Sequence, residues 1–157
     1  MDNSQKIQYT IDRFAAANIS ITADMADKLV RLCDFMVEYN EHVNLTSITE
    51  FEEVVDKHFV DSVLPFFMVE IPEGSSFIDV GTGAGFPALP LLIVRPDLKG
   101  TLCDSLNKRC VYLEKACELV GIHAEIIHAR SEELGRKRRE CFDFATARAV
   151  ATMPVLA

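Results

Sequence analysis

Three glycines at alternate positions, set between two apolar segments, constrain this chain more than any other feature. The glycines and the two residues that follow them are Gly81, Gly83, Gly85, Phe86 and Pro87. Residues 77–80 form a short apolar run typical of a buried strand, and residues 88–94 form a second one that suits a helix. Glycines permit a tight turn and a close approach of ligand to backbone, and the helix N-terminus beyond attracts anions. The pattern therefore predicts a ligand site over residues 81–86, with a turn that serves packing alone as the alternative.

Length and composition predict one soluble domain. The chain has 157 residues, 49% of them apolar and 25% charged. Its longest apolar run, 84–94, is much shorter than the roughly 20 residues of a membrane span, and the N-terminus lacks the apolar core of a signal peptide. The 5 cysteines, without a Cys-x-x-Cys pair, favour reduced thiols in a cytoplasmic protein over disulfides or a metal site.

Charge is unevenly distributed along the chain. Residues 1–70 hold 5 Lys/Arg and 13 Asp/Glu, whereas residues 71–157 hold 11 of each. An acidic first half argues against non-specific binding of nucleic acid, because such binding needs basic surfaces. Local basic spots occur at 108–109 and 136–139, and the second is typical of a solvated helix end.

The first 70 residues are predicted to be helical. Apolar residues at steps of three and four indicate helices over 4–17 and 22–39, the second with Thr22 as its N-cap. A polar loop, 39–46, separates them from a third helix. That helix is expected to start with a capping box over 49–52 and to end before Pro65.

From residue 71 onward, strands and helices alternate, which predicts an α/β fold with a parallel sheet. The predicted strands are 77–80, 99–103, 122–129 and 142–150, and the predicted helices are 88–94, 106–120 (closed by Gly121) and 132–139. Ligands of such sheets bind at the carboxyl ends of the strands. Four stretches converge there: 81–86, Asp104, 130–132 and Arg148. Asp104 lies 19 residues after Gly85, close to the spacing at which an acidic residue grips ribose hydroxyls.

The spacing of the glycines distinguishes between nucleoside cofactors. A dinucleotide fingerprint reads G-x-G-x-x-G, whereas this chain has G-x-G-x-G followed by Phe86. A phenylalanine at that turn would crowd a pyrophosphate and suits the methionine arm of S-adenosylmethionine. A nicotinamide-dependent oxidoreductase remains the alternative.

Several strings of the chain together resemble the glucose-inhibited division protein B family, whose members are small-subunit ribosomal RNA guanine-N7 methyltransferases. The strings are D-V-G-T-G-A-G-F-P (79–87), L-C-D-S-L-x-K-R (102–109), A-R-S-E-E (129–133), A-R-A-V-A (147–151), Y-N-E-x-V-N-L-T (39–46) and K-H-F-V-D-S (57–62). The resemblance implies a Rossmann-like class I methyltransferase sheet over 71–157, with its first four strands present. It also implies an N-terminal helical extension over 1–70, and ribosomal RNA or a ribosomal particle as substrate.

The resemblance also implies roles for individual residues. The resemblance implies cofactor contacts at Gly81, Phe86, Ser131, Glu132 and Arg148. The glycine turn and the ribose spacing add Gly83, Gly85 and Asp104 as predicted cofactor-binding residues. The reaction site lies near Asn40, Asn44 and His58, so the predicted catalytic residues are Asn40, His58 and Arg148. Guanine N7 has a free lone pair and no proton, so alignment and electrostatics suffice and no general base is assigned. His58 as an ordinary helix residue is the alternative.

The chain departs from the family pattern in two respects. Ala88 stands where the family usually has glycine, and family members continue past residue 157. We therefore expect a C-terminally truncated chain, with an inactive cofactor-binding fragment or interaction module as the alternative function. The predicted fourth strand would then have an unpaired outer edge, which predicts self-association.

Overall fold

The computed structural model describes residues 1–130, 141–147 and 151–156. The helices of these ranges are α1 (Asn3–Ala16), α2 (Ala23–Tyr39), α3 (Phe51–Glu53), a π-helix (Val54–Val60), α4 (Asp61–Phe67), α5 (Ala88–Val94) and α6 (Asn107–Val120). The strands are β1 (Ser76–Val80), β2 (Lys99–Asp104), β3 (Ala124–His128), β4 (Phe144–Ala147) and β5 (Ala151–Leu156). The predicted helix 132–139 lies outside the described residues. No helix in the described part of the chain is both long and apolar enough to cross a membrane.

The strands form one sheet in the order β3-β2-β1-β4-β5, and the first four run parallel. This confirms the predicted α/β fold. The chain moves outward from β1 to β2 and β3, then returns to β4 on the other side of β1. The carboxyl ends of β1 and β4 therefore form a topological switch point, where parallel sheets bind ligands.

The prediction of an unpaired outer edge on the fourth strand is wrong. β5 pairs antiparallel with β4, in a register that places Phe144 opposite Leu156 and Ala147 opposite Ala151. The apolar segment after residue 150 folds back along the strand before it, so β4 has a neighbour on both sides. The self-association expected through that edge loses its structural basis.

The ends of the N-terminal helices agree only partly with the predictions. Thr22 caps α2 as predicted, because its hydroxyl accepts the Met25 N–H. The capping box over 49–52 is wrong: Glu50 is the N-cap of α3, and its side chain makes no capping hydrogen bond. In a capping box, the side chain of the N-cap residue accepts the N–H of the residue three positions later. Because the helix begins at Phe51, the N-cap is Glu50, and Thr49 lies one residue before the capping position.

The predicted helix end before Pro65 is also wrong. Helical structure continues without a break from Phe51 through the π-helix to Phe67, and Pro65 lies within α4. A proline inside a helix removes its own N–H and crowds the carbonyl four residues earlier, but it leaves the next turn able to form: Met68 N–H donates to the Pro65 carbonyl over 3.4 Å. The helix therefore ends shortly after the proline rather than before it.

The N-terminal helices and one face of the sheet share a single hydrophobic core. Fully buried side chains of this core come from α1, α2, the π-helix, α5, α6 and β1, and they include Phe14, Leu32, Phe59, Phe77, Leu91 and Leu113. Tyr112 of α6 is fully buried and stacks on Phe35 of α2, with ring centroids 5.6 Å apart. Its hydroxyl finds no hydrogen-bond partner in residues 1–130 and 141–147.

Replacing Tyr112 by phenylalanine tests this core. A buried hydroxyl without a partner costs about 1–3 kcal/mol, so Tyr112→Phe should raise the free energy of unfolding by about 1 kcal/mol in urea titrations. Tyr9→Phe is the matched control, because the Tyr9 hydroxyl donates to the Asp56 carboxylate over 3.2 Å and its loss should destabilise the protein. A destabilised Tyr112→Phe variant would show that the hydroxyl has a partner.

Candidate functional site

The carboxyl edge of the sheet brings together the glycine loop, residues 81–85, and Asp104 at the end of β2. Thr82 N–H donates to the Cys103 carbonyl over 3.0 Å, which fixes the loop against the end of β2. The other residues predicted for this edge are Ser131, Glu132 and Arg148, and they lie outside the described residues. Arg130 and Ala147, the residues just before them, do lie at the carboxyl ends of β3 and β4.

The three glycines of the loop differ in what surrounds them. All have positive φ angles: +65° at Gly81, +60° at Gly83 and +92° at Gly85. A Cβ at Gly81 or Gly83 would meet no described atom within 4 Å, whereas one at Gly85 would lie 2.6 Å from Leu89 Cγ. Gly85 therefore serves the packing of α5 against the loop. Gly81 and Gly83 leave open space through which a ligand can approach the backbone.

Asp104 joins the glycine loop to the start of α6. One carboxylate oxygen accepts the Gly83 N–H over 2.8 Å, and the other accepts the Leu106 N–H over 2.9 Å. The residue is only 3% exposed, and the Arg109 guanidinium lies 3.7 Å from its Oδ1. A carboxylate has about four acceptor positions, so Asp104 retains capacity for the hydroxyls of a ligand.

A second buried carboxylate, Asp79 of β1, was not singled out by the sequence analysis. It is fully buried, and it accepts the Thr82 hydroxyl over 2.7 Å and the Thr146 hydroxyl over 2.9 Å. These bonds link β1, the glycine loop and β4 at the switch point. The available signal was an aspartate within the apolar run 77–80, since a charge in a buried strand needs partners.

The thiols beneath the site are protonated at neutral pH. Burial, followed by the charge of Asp104, raises the pKa of the Cys103 and Cys110 thiols above the usual range. Cys103 Sγ donates to the Ala129 carbonyl over 3.2 Å. These cysteines are free, buried core residues that offer no thiolate nucleophile.

Phe86 lies beneath the glycine loop rather than on its open side. The ring is 1% exposed and stacks on His58, with centroids 4.6 Å apart and planes 17° apart. Phe59 packs against the edge of the same ring at 6.0 Å. The N-terminal helices therefore reach the glycine loop through His58, which is itself 6% exposed.

Asn40 holds the loop that follows α2. Its amide oxygen accepts the N–H groups of Leu45 and Thr46, over 2.8 and 3.0 Å, and its amide nitrogen donates to the Thr46 carbonyl. The Thr46 hydroxyl in turn lies 2.8 Å from His58 Nε2. Asn40 and His58 are thus connected through Thr46, a residue that the sequence analysis did not single out. Asn44, within this loop, is exposed.

The described part of the chain offers no set of ligands for a metal ion. Residues 1–130, 141–147 and 151–156 contain no group of three or more His, Cys, Asp or Glu side chains that could hold a metal ion.

The family model and the curated relatives that match this chain carry the same description. The family model described as rRNA small subunit methyltransferase G matches residues 25–157. A ribosomal RNA small subunit methyltransferase G of Clostridium perfringens is 45% identical over 144 residues, which cover 90% of this chain and 60% of the relative. The protein of the same name from Leuconostoc mesenteroides is 44% identical over 152 residues, which cover 94% of this chain and 64% of the relative. The chain thus spans less than two thirds of the length of these curated relatives.

Among solved structures, one similar chain is described as a protein-L-isoaspartate O-methyltransferase of Plasmodium falciparum in complex with S-adenosyl-L-homocysteine. Its sequence identity is 14% and its TM-score 0.49, and the match covers 90% of this chain and 72% of that one.

Removing the Thr146 hydroxyl tests the role of Asp79. Thr146→Val should lower the free energy of unfolding by about 1.5–3 kcal/mol, because a buried carboxylate loses one of its donors. Thr101→Val is the matched control, since Thr101 is a similarly buried strand residue whose hydroxyl makes only a long 3.4 Å contact with Glu125. Equal losses for the two variants in urea unfolding would contradict a special role for the Asp79 cluster.

Proposed function

Because the chain belongs to the rRNA small subunit methyltransferase G family, we propose that it binds S-adenosylmethionine and forms part of an enzyme that methylates guanine N7 in small-subunit ribosomal RNA. The observation that carries this proposal is the carboxyl edge of the sheet, where an open glycine backbone lies beside a buried aspartate. Membership of the family favours this function over a nicotinamide-dependent oxidoreductase. Ribosomal RNA as substrate also implies action in the cytoplasm.

The described residues fit the cofactor at two points. Open space beside Gly81 and Gly83 allows the backbone to approach the methionine part, and Asp104 has acceptor capacity for the two ribose hydroxyls. Ser131 and Glu132 are proposed for the adenine on the basis of the resemblance. Arg148, at the end of the predicted fourth strand, is proposed to hold an anionic group of the cofactor or the RNA. Gly85 and Phe86 are proposed to act from beneath, by fixing the shape of the loop.

When bound, S-adenosylmethionine supplies an activated methyl group on a sulfonium sulfur. The chain's own contribution is alignment, because guanine N7 carries a lone pair and needs no base to remove a proton. Asp79 and Thr82 hold the glycine loop rigid, and Asp104 fixes its position relative to α6. The protonated thiols of Cys103 and Cys110 agree with a reaction without a covalent enzyme intermediate.

Asn40 and His58 are proposed to act near the guanine through the loop that they hold. Both Asn40 amide atoms make hydrogen bonds to the loop backbone, which supports a role in positioning the loop rather than in proton transfer. Arg148 is proposed to contribute positive charge at the same edge.

Binding of S-adenosylhomocysteine to this chain, measured by calorimetry, tests the cofactor site. Asp104→Ala should weaken binding at least about tenfold, because hydrogen bonds to a charged group contribute about 1.5–3 kcal/mol each. Asp143→Ala is the matched control: Asp143, just before β4, also accepts a backbone N–H, that of Ser76 over 2.7 Å, but at the opposite edge of the sheet.

Three outcomes would contradict the proposal. They are equal dissociation constants for the two variants, tighter binding of a nicotinamide dinucleotide than of S-adenosylhomocysteine, and no binding by the wild-type chain. For the RNA step, the full-length protein should transfer labelled methyl groups from S-adenosylmethionine to small-subunit ribosomal RNA. Mass spectrometry of the digested RNA should identify 7-methylguanosine as the product.

A further inference from the structure

The loop of residues 40–46 is connected to the glycine loop through Thr46, His58 and Phe86. We propose that Thr46 is a positioning residue for the glycine loop: its hydroxyl sets the His58 ring against Phe86 and so couples the 40–46 loop to the cofactor site. The inference builds on the proposed function, because the cofactor site is the one assigned there. It adds that the N-terminal helices take part in cofactor binding without touching the ligand.

The first link is the fixed position of Thr46. Its N–H donates to Asn40 Oδ1 over 3.0 Å, and its carbonyl accepts from Asn40 Nδ2 over 3.0 Å. The hydroxyl accepts the Ile48 N–H over 3.0 Å and lies 2.8 Å from His58 Nε2. Since backbone and hydroxyl are both held, the Thr46 oxygen is a rigid reference point for the imidazole.

The second link is the helix that carries His58. His58 lies in the seven-residue π-helix Val54–Val60, a rare form that occurs frequently at functional sites. On another side of this helix, Asp56 accepts from Arg13 Nε over 2.8 Å and from the Tyr9 hydroxyl over 3.2 Å. The π-helix is therefore held by α1 through Asp56 and by the 40–46 loop through His58.

The third link is the ring stack beneath the glycine loop. His58 and Phe86 lie nearly parallel with centroids 4.6 Å apart, and Phe59 packs against the edge of Phe86. Phe86 directly follows Gly85, and its N–H donates to the Thr82 carbonyl over 3.3 Å. Because buried rings are closely packed, a displaced His58 displaces Phe86 and, with it, the backbone of the glycine loop.

The test compares Thr46→Val, which removes the hydroxyl at nearly constant volume, with Thr46→Ser, which keeps it. Thr49→Val is the matched control, because Thr49 is an exposed threonine three residues along the chain. At a temperature where all variants are folded, Thr46→Val should weaken S-adenosylhomocysteine binding by about tenfold, whereas Thr46→Ser and Thr49→Val stay close to wild type.

A second measurement needs no ligand. In amide NMR spectra of the free chain, Thr46→Val should shift the resonances of Gly81, Gly83 and Gly85, and Thr49→Val should leave them in place. A Thr46 with a merely structural role would lower the free energy of unfolding without moving these resonances or the dissociation constant.

The outcomes separate the inference from the proposed function. If the wild-type chain fails to bind S-adenosylhomocysteine, the proposed function fails, and the amide shifts alone decide the coupling. The coupling is overturned if Thr46→Val leaves the glycine amides unchanged, or if the wild type binds and folded Thr46→Val binds equally well.

Discussion

Two carboxylates buried at the carboxyl ends of neighbouring strands hold the glycine loop, and the candidate site depends on them. Asp79 binds the loop through Thr82, and Asp104 binds it through the Gly83 N–H. A buried carboxylate is costly unless donors surround it, so the loop that supplies those donors is fixed in one conformation. A rigid loop lets its glycines present open backbone without the entropy cost of ordering it when a ligand binds.

The acidic N-terminal part of the chain belongs to the same structure. Its helices share the hydrophobic core with α5, α6 and β1, and His58 stacks on the phenylalanine that follows the glycine loop. Residues 1–70 differ from the rest of the chain in their net charge. Charged side chains lie mainly on the surface, however, and the buried apolar side chains of both parts pack into one core. The N-terminal helices therefore help to fix the position of the residue that follows the glycine loop.

Much of the fold followed from local sequence patterns, because those patterns reflect local physics. The glycine run, the Thr22 cap and the left-handed Gly121 at the end of α6 each depend on a few neighbouring residues. The errors arose at the boundaries of elements. The helix begins at Phe51 without a capping box, Pro65 lies inside it, and β5 turns back directly to pair with β4. The links from Asp79 to Thr146 and from Thr46 to His58 join residues far apart in sequence, and no spacing rule reveals them.

Amide NMR during titration with S-adenosylhomocysteine tests whether the cofactor binds at the carboxyl edge of the sheet. We expect the largest shifts at Gly81, Gly83 and Asp104, with smaller shifts at Thr46 and His58. A cavity of about 660 Å³ lies at the opposite edge, beside Ser76, Lys99, Gly100 and Ala124. Shifts concentrated around that cavity, with the glycine loop unchanged, would contradict a cofactor site at the carboxyl edge.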